Sequence, residues 1–396
     1  MQGTQYEPTH SAGTVTARSA VLAGVGGWVP PRVVTNADLS AGLDTSDEWI
    51  RSRTGIAQRH FVDPGMSTSD LAVEAARRAL VSAGTPGVDA VVVATMTPDR
   101  SCPAVAPEVA SRLGLTGVAA YDLGAVCTGF VYSLATAAGL IATELADRVL
   151  VIGADALSSV TNPADRTTAV VLADGAGAVV LRAGRRDEPG ALGSFDLGSD
   201  GGGSDLIQVA AGGARQRLSG RTPDPADFYF TMDGREVFRN AVVRMAASSR
   251  TVVRRVGWQL ADVDRVVSHQ ANIRILNALA DELDLARDRV VANIDRVGNT
   301  GAASIPLALA DAGATGVVAA GDRVLITAFG GGLTWGSTVL VWPRLRPAER
   351  PGDPMGSAAG TAPATAEPVP APAGTEPAPL PHHPMSEPPA TGPATR

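Results

Sequence analysis

The chain has 396 residues, 45% of them hydrophobic, enough for one large or two medium domains with a real core. Its net charge of −7 excludes a broad nucleic-acid footprint, and the absence of any lysine excludes Schiff-base chemistry on the protein. The cysteines, Cys102 and Cys127, are too few for a disulfide framework, and no Cys-x-x-Cys or Cys/His cluster reads as a metal site; a reducing cytoplasm, where thiols stay free, is the expected compartment.

In chain order, residues 1–17 are polar, lack the basic start and apolar run of a secretory signal, and read as a loose arm. SDLAVEAARRALVSAG (69–84) carries helical apolar spacing, with Ser69 as a cap and Gly84 as a stop. AVVVATM (90–96), DRVLVIGAD (147–155) and AVVLADGAGAVVL (169–181) read as buried, Val-rich strands. Between the first two, TGFVYSLATAAGLIATELA predicts an apolar, buried helix with Cys127 at its mouth. Apolar runs are short and broken by Gly, Asp or Pro, which argues against a membrane span. Alternating strands and helices predict a layered α/β fold. Residues 344–396 are Pro, Ala, Gly and Glu with almost no large apolar side chain; such a stretch buries no core and is expected to be a disordered tail, either a docking segment or a passive extension.

The second half echoes the first. GVDAVVVATM (87–96) resembles DVDRVVSHQAN (262–272), DRVLVIGAD (147–155) resembles DRVLITAFG (322–330), and VCTGFVYSLATAA (126–138) stands where GNTGAASIPLALA (298–310) stands. Cys127 and Asn299 each precede Thr-Gly and each lie 20 to 23 residues before an Asp-Arg-Val-Leu strand. A duplicated fold follows, with halves 18–190 and 191–343 that place Cys127 and Asn299 at equivalent helix starts.

The chemistry then narrows. A thiolate attacks and a thiol does not; the free N–H groups and positive end of a helix lower a thiol's pKa, so the position of Cys127 suits a nucleophile, and it also suits an inert buried cysteine. Of five histidines, His10, His382 and His383 fall in the ends, His60 sits among arginines at a surface or structural position, and His269 follows the strand VDRVVS. The C-terminal end of a strand is where α/β folds build sites, which favours a catalytic His269. Asn299 in DRVGNTGAAS reads as a turn residue or as an amide donor that, beside a His N–H, binds a developing oxyanion. AFGGGLTWGS (328–337) is either a tight hairpin or a place where backbone approaches a ligand closely.

AVCTGF, HQAN and GNTGAAS together resemble the β-ketoacyl-acyl-carrier-protein synthase III family, of thiolase-like fold. TSDEWIRSRTGI (45–56), PADRTTAVVLADGAGA (163–178), LGSDG (197–201), MDGREVF (232–238) and FGGGLTWGS resemble it in the same order, over about 18–343. The resemblance implies a duplicated α-β-α-β-α fold and a decarboxylating condensing enzyme that starts fatty-acid or polyketide chains. It implies Cys127 as the nucleophile that takes an acyl group from acyl-CoA. His269 and Asn299 would stabilise the enolate formed when malonyl-acyl-carrier protein loses CO2, and the N–H groups of Cys127 and Gly331 would form the oxyanion hole for acyl transfer. Trp49 and Arg166 match positions that sandwich the adenine of CoA, Arg53 a phosphate contact, and Asn272 and Arg274 the mouth of the pantetheine tunnel. Arg239 and Arg274 are candidates for meeting an acidic carrier protein. No cofactor is implied beyond the thioester substrates, and no metal. The family is homodimeric, and Cys102 falls where some members place a Phe that lines the partner subunit's acyl pocket; a smaller side chain there predicts room for starters larger than acetyl, unless Cys102 is only a packing residue whose neighbours fill the gap. Two rivals remain: an acyltransferase of the same fold that passes the acyl group from Cys127 to an alcohol or amine, and a catalytically silent partner subunit. Retention of Cys127, His269 and Asn299 speaks against the second, and the lack of a Glu resembling a general base disfavours a hydroxymethylglutaryl-CoA synthase.

Overall fold

The structure, a computed structural model, describes residues 18–346. The arm expected over 1–17 and the tail from 347 lie outside the described residues, whereas Leu345 packs against the central core. The Val-rich runs form strands that need no water on either face. β1 (Ser19–Trp28), β2 (Ala90–Ala94), β3 (Ala119–Leu123), β4 (Arg148–Ala156) and β5 (Asp174–Gly184) make one sheet in the order β1-β5-β4-β2-β3. β2 runs parallel to both β3 and β4 and is buried throughout, as a strand covered on both faces must be. β6 (Phe195–Ser199), β7 (Arg265–Ser268), β8 (Arg323–Gly330) and β9 (Thr334–Val341) make the second sheet, in the order β7-β8-β9-β6. Read from β6, it repeats the first four strands of that sheet, β3 having no counterpart: β6-β9 and β9-β8 are antiparallel and β8-β7 is parallel, as are β1-β5, β5-β4 and β4-β2 in turn. The duplication expected from three short sequence echoes is written in this order.

The helices used below are α1 (Asp47–Thr54), α2 (Thr68–Ala83), α3 (Gly129–Ala142), α4 (Gly234–Arg255), α5 (Ile273–Glu282) and α6 (Ser304–Thr315). α3 and α6 are the middle layer. Phe130, Leu134 and Ile141 of α3 share one core with Ile305 and Leu309 of α6, with Val92, Val151 and Val179 of the first sheet and with Val267 and Ile326 of the second. α2 covers the outer face of the first sheet through Leu71, Ala75 and Ala79, and α4 that of the second through Val237, Met245 and Val252. The result is the α-β-α-β-α layering expected. Among the described residues no helix is long and apolar enough to cross a membrane.

Two local expectations are corrected. The cap of α2 is Ser67 rather than Ser69: Ser67 and Asp70 form a reciprocal capping box, while Gly84, at φ 63°, ends the helix as expected. The run 169–181 is a strand only from Asp174, since 169–173 turns toward Asn299. There Asn299 N donates to Val171 O (2.9 Å) and Ala173 N to Asn299 O (2.8 Å), an isolated parallel bridge in place of a regular ladder.

Candidate active site

The parallel strands β2, β4, β7 and β8 aim their C-terminal ends at one region, and the chemistry-bearing residues follow those ends. His269 comes directly after β7. Gly330 is the last residue of β8. Asp155 is near the end of β4. Cys127 comes after β3, in a single 3₁₀ turn, Val126–Thr128, that leads into α3. Its predecessor Val126 has φ 47°, a left-handed conformation that strains a β-branched residue by about 1–3 kcal/mol and turns the chain sharply enough to present the thiol.

A cavity of about 320 Å³ collects these groups: Cys127, His269 and Asn299 line it together. Its walls are largely apolar, with Val171, Leu172, Ile207, Phe230, Met245 and Phe329 among them. Each polar member is held in one orientation. His269, 5% exposed, has Nδ1 2.7 Å from Ser304 Oγ, and burial pushes its pKa down to about 4, so the ring is neutral at physiological pH. Asn299 is clamped by its backbone bridge to 171–173 and accepts at Oδ1 from Gly301 N (3.0 Å). That contact fixes which way the amide faces, and the donors of Nδ2, which have no partner among the described residues, remain for a ligand. The β8–β9 hairpin packs on the Cys127 turn: a Cβ on Gly330 would sit 3.0 Å from Cys127 N, so a side chain there would press the two backbones apart by a few tenths of an ångström. Gly331 itself packs against Ile207.

The expectation of a depressed Cys127 pKa does not hold. The side chain is half-exposed at the cavity, yet dense protein surrounds it; that burial, reinforced by the charge of Asp155, pushes the thiol up to about 12 and outweighs its backbone hydrogen bond. Cys127 therefore starts as a thiol.

Sequence reasoning passed over Asp155. It is fully buried, and burial raises its pKa to about 6 against the hydrogen bonds that hold it down. Oδ1 accepts from Met96 N (2.8 Å), Thr95 Oγ1 (3.0 Å) and Thr97 Oγ1 (3.3 Å); Oδ2 accepts from Ala302 N (2.8 Å). One carboxylate of the first sheet thus anchors the segment that carries Asn299. An acidic residue closing an apolar strand, in DRVLVIGAD, was the available signal.

Of the expected CoA contacts, Trp49, Arg53, Asn272 and Arg274 line the same cavity. Asn272 also caps α5, accepting from Arg274 N (2.8 Å). Arg53 and Arg166 lie 6.0 and 5.3 Å from the Trp49 ring centre. Arg166 is exposed and donates to Asp44 O (2.7 Å), so a flat base entering between Arg166 and Trp49 requires the guanidinium to swing outward. Arg239 is exposed on α4 and paired with Glu236 (2.6 Å). Cys102 is exposed and does not line the cavity of its own chain. His60 is structural, with Nδ1 2.6 Å from Pro30 O.

Comparison with known proteins agrees with this geometry. Residues 121–201 match the family model of 3-oxoacyl-[acyl-carrier-protein (ACP)] synthase III, and 253–342 match the model of its C-terminal part. A β-ketoacyl-[acyl-carrier-protein] synthase III of Streptomyces coelicolor is 59% identical over 325 residues, covering 82% of this chain and 98% of that protein. The crystal structure of the 3-oxoacyl-(acyl carrier protein) synthase III of Pseudomonas aeruginosa superposes with a TM-score of 0.78 at 52% identity, covering 83% of this chain and all of that one. The priming β-ketosynthase of a polyketide biosynthetic pathway superposes with a TM-score of 0.76 at 34% identity, over 83% of this chain and 97% of that one. With a cysteine turn, a neutral histidine and an oriented amide on one cavity of a duplicated thiolase-like fold, and with relatives this similar over most of its length, the chain belongs to the β-ketoacyl-acyl-carrier-protein synthase III family.

Proposed function

We propose that this chain condenses an acyl-CoA starter with malonyl-acyl-carrier protein, giving 3-oxoacyl-acyl-carrier protein, CoA and CO2. The observation that carries the reading is the convergence of Cys127, His269 and Asn299, from separate elements, on one apolar cavity that also reaches Trp49, Arg53 and Arg274. In the first step Cys127 Sγ bonds to the acyl carbon, the bond from that carbon to the CoA sulfur breaks, and the thiol proton ends on CoA. Backbone N–H groups at Cys127 and at the β8–β9 hairpin, for which Gly331 is the expected donor, carry the negative charge of the tetrahedral intermediate. In the second step the malonyl carboxylate leaves as CO2, and its electron pair becomes an enolate whose oxygen is met by His269 and the Asn299 amide. The enolate carbon then attacks the acyl carbon, the bond to Sγ breaks, and Sγ recovers a proton from solvent. Neutral donors suit this task, because they stabilise the charge without protonating the carbanion.

Short or branched acyl groups fit the apolar walls and modest volume of the cavity. The 34% identical priming synthase supports a polyketide starter step as an alternative to fatty-acid initiation. The enzyme works without a cofactor beyond its thioester substrates, as a homodimer in the cytoplasm; β3, unpaired on its outer side among the described residues, supports the dimer. Arg274 at the cavity and Arg239 on α4 are the candidate contacts for the acidic carrier protein.

The test is to mix the protein with several acyl-CoAs and malonyl-acyl-carrier protein and weigh the carrier by intact mass spectrometry. A ketoacyl carrier formed with loss of CO2 is expected, and its added mass names the starter. A carrier that stays malonylated while Cys127 becomes acylated would overturn the reading in favour of acyl transfer to another acceptor.

A further inference from the structure

The mechanism asks His269 to present a proton, not a lone pair, to the enolate oxygen. A neutral imidazole carries one N–H, and which nitrogen holds it is set by the partner of the other. Nδ1 lies 2.7 Å from Ser304 Oγ, while Nε2 has no partner among the described residues and belongs to a ring that lines the cavity. Ser304 is 1% exposed at the first position of α6. Other helical hydroxyls here discharge their proton onto the carbonyl four residues back, as Thr54 does to Ile50 O, Thr136 to Tyr132 O and Thr315 to Asp311 O. Ser304 makes no such bond, and among the described residues its proton has no acceptor other than His269 Nδ1. Were Nδ1 the protonated nitrogen, a buried hydroxyl proton would be stranded and the cavity would face a lone pair. With Ser304 donating, both groups are satisfied and Nε2–H points into the site.

We propose that Ser304 is a positioning residue: its hydroxyl donates to His269 Nδ1 and locks the ring in the Nε2–H form that the decarboxylation step uses. The role rests on the condensing function proposed above. It also assigns a division of labour. An Nε2 that already carries its proton cannot accept the proton of Cys127, so His269 acts in enolate formation and leaves acyl transfer to the thiol, the backbone donors and the departing CoA sulfur.

The experiment is nitrogen NMR of full-length protein labelled at histidine, with His269→Ala to assign the ring, alongside separate assays of Cys127 acylation by intact mass and of CO2 release from malonyl-acyl-carrier protein. Wild type should show a pyridine-like, hydrogen-bonded Nδ1 and a pyrrole-like Nε2. Ser304→Ala should shift the Nδ1 signal, populate the Nδ1–H form and slow CO2 release about 10-fold while acylation stays within about 2-fold; Ser304→Thr, which keeps the hydroxyl, should restore the wild-type signature. A wild-type spectrum with the proton on Nδ1 overturns the proposal whatever the variants do. So does a Ser304→Ala protein with unchanged nitrogen signals and unchanged CO2 release. Should wild type release no CO2 at all, the proposed function falls, and the spectrum still decides the tautomer.

Discussion

His269 and Asp155 are buried at the same centre and depart from ordinary titration in opposite senses. The histidine is depressed from 6.5 to about 4, so its contribution to stability is present above pH 6.5 and is lost as pH falls through 4, about 3 kcal/mol for a shift of this size. The aspartate is raised from 3.8 to about 6, so its contribution is present below pH 3.8 and is lost as pH rises through 6, again about 3 kcal/mol. Across the window from pH 6 down to 4 the two slopes largely cancel. Asp155→Asn removes one of them. Urea unfolding of the variant should show stability falling steeply as pH drops from 6.5 toward 4, while wild type changes little over the same window. Loss of the Ala302 hydrogen bond lowers the variant's whole curve without altering its slope, so the slope is the measure. Parallel curves for the two proteins would sink this account of Asp155.

At the scale of elements, the site is a set of strand ends stapled to two helix starts. One tight staple is Gly301. It lies at φ 59°, and a Cβ there would come within 2.3 Å of Asp155 Oδ2, so a side chain must push the Asn299 segment away from the first sheet. Gly301→Ala is expected to cost about 1–3 kcal/mol of stability and to slow CO2 release about 100-fold, the loss typical of one misplaced oxyanion donor. Acylation of Cys127, on the other helix start, should survive. Equal loss of both steps would show that Gly301 supports the whole site and not the placement of Asn299. This division between what acts and what holds also separates what was legible in the sequence from what was not. Cys127, His269 and Asn299 were legible because each follows a strand or opens a helix in a repeated pattern. Their supports were not, because each depends on distant contacts: Ser304 meets His269 across 35 positions, and Asp155 meets Ala302 across 147. The run 169–173 is apolar enough for a strand, yet it turns, because the N–H groups of Ala169, Val171 and Leu172 donate back to Asp165 O and Thr168 O, and Val171 O and Ala173 N pair with the distant Asn299. The helix-end argument for a low thiol pKa failed for a related reason: it counted the N–H groups of α3 and could not see how deeply the surrounding protein buries the thiol, nor the carboxylate of Asp155 that adds to that burial.

At the scale of the whole molecule, the proposed homodimer decides whether the acyl pocket is complete. β3 is an edge strand, AAYDL, with no proline or lysine to discourage pairing, and Tyr121 and Leu123 only half-covered. The segment that bears Cys102 is tied to this edge, because Val105 N and Ala106 N both donate to the Asp122 carboxylate at 2.8 Å. A second copy pairing along β3 would therefore meet the Cys102 loop at once. In one chain Cys102 is exposed and lies outside the cavity. If the proposed dimer forms along β3, Cys102 would be carried toward the partner's pocket. Cys102→Phe is then expected to cut acylation by branched acyl-CoA about 10-fold or more while sparing acetyl-CoA, since a bulkier wall removes volume that only the larger starter needs. Acyl-CoA competition read by intact mass measures the preference, light scattering measures the dimer, and alkylation of wild-type Cys102 should be slow where the dimer persists and fast where dilution breaks it. A wall can exclude a starter only if it belongs to the pocket. Unchanged starter preference in a proven dimer would leave Cys102 a surface residue, and a monomer with a freely alkylated Cys102 would remove the shared pocket altogether.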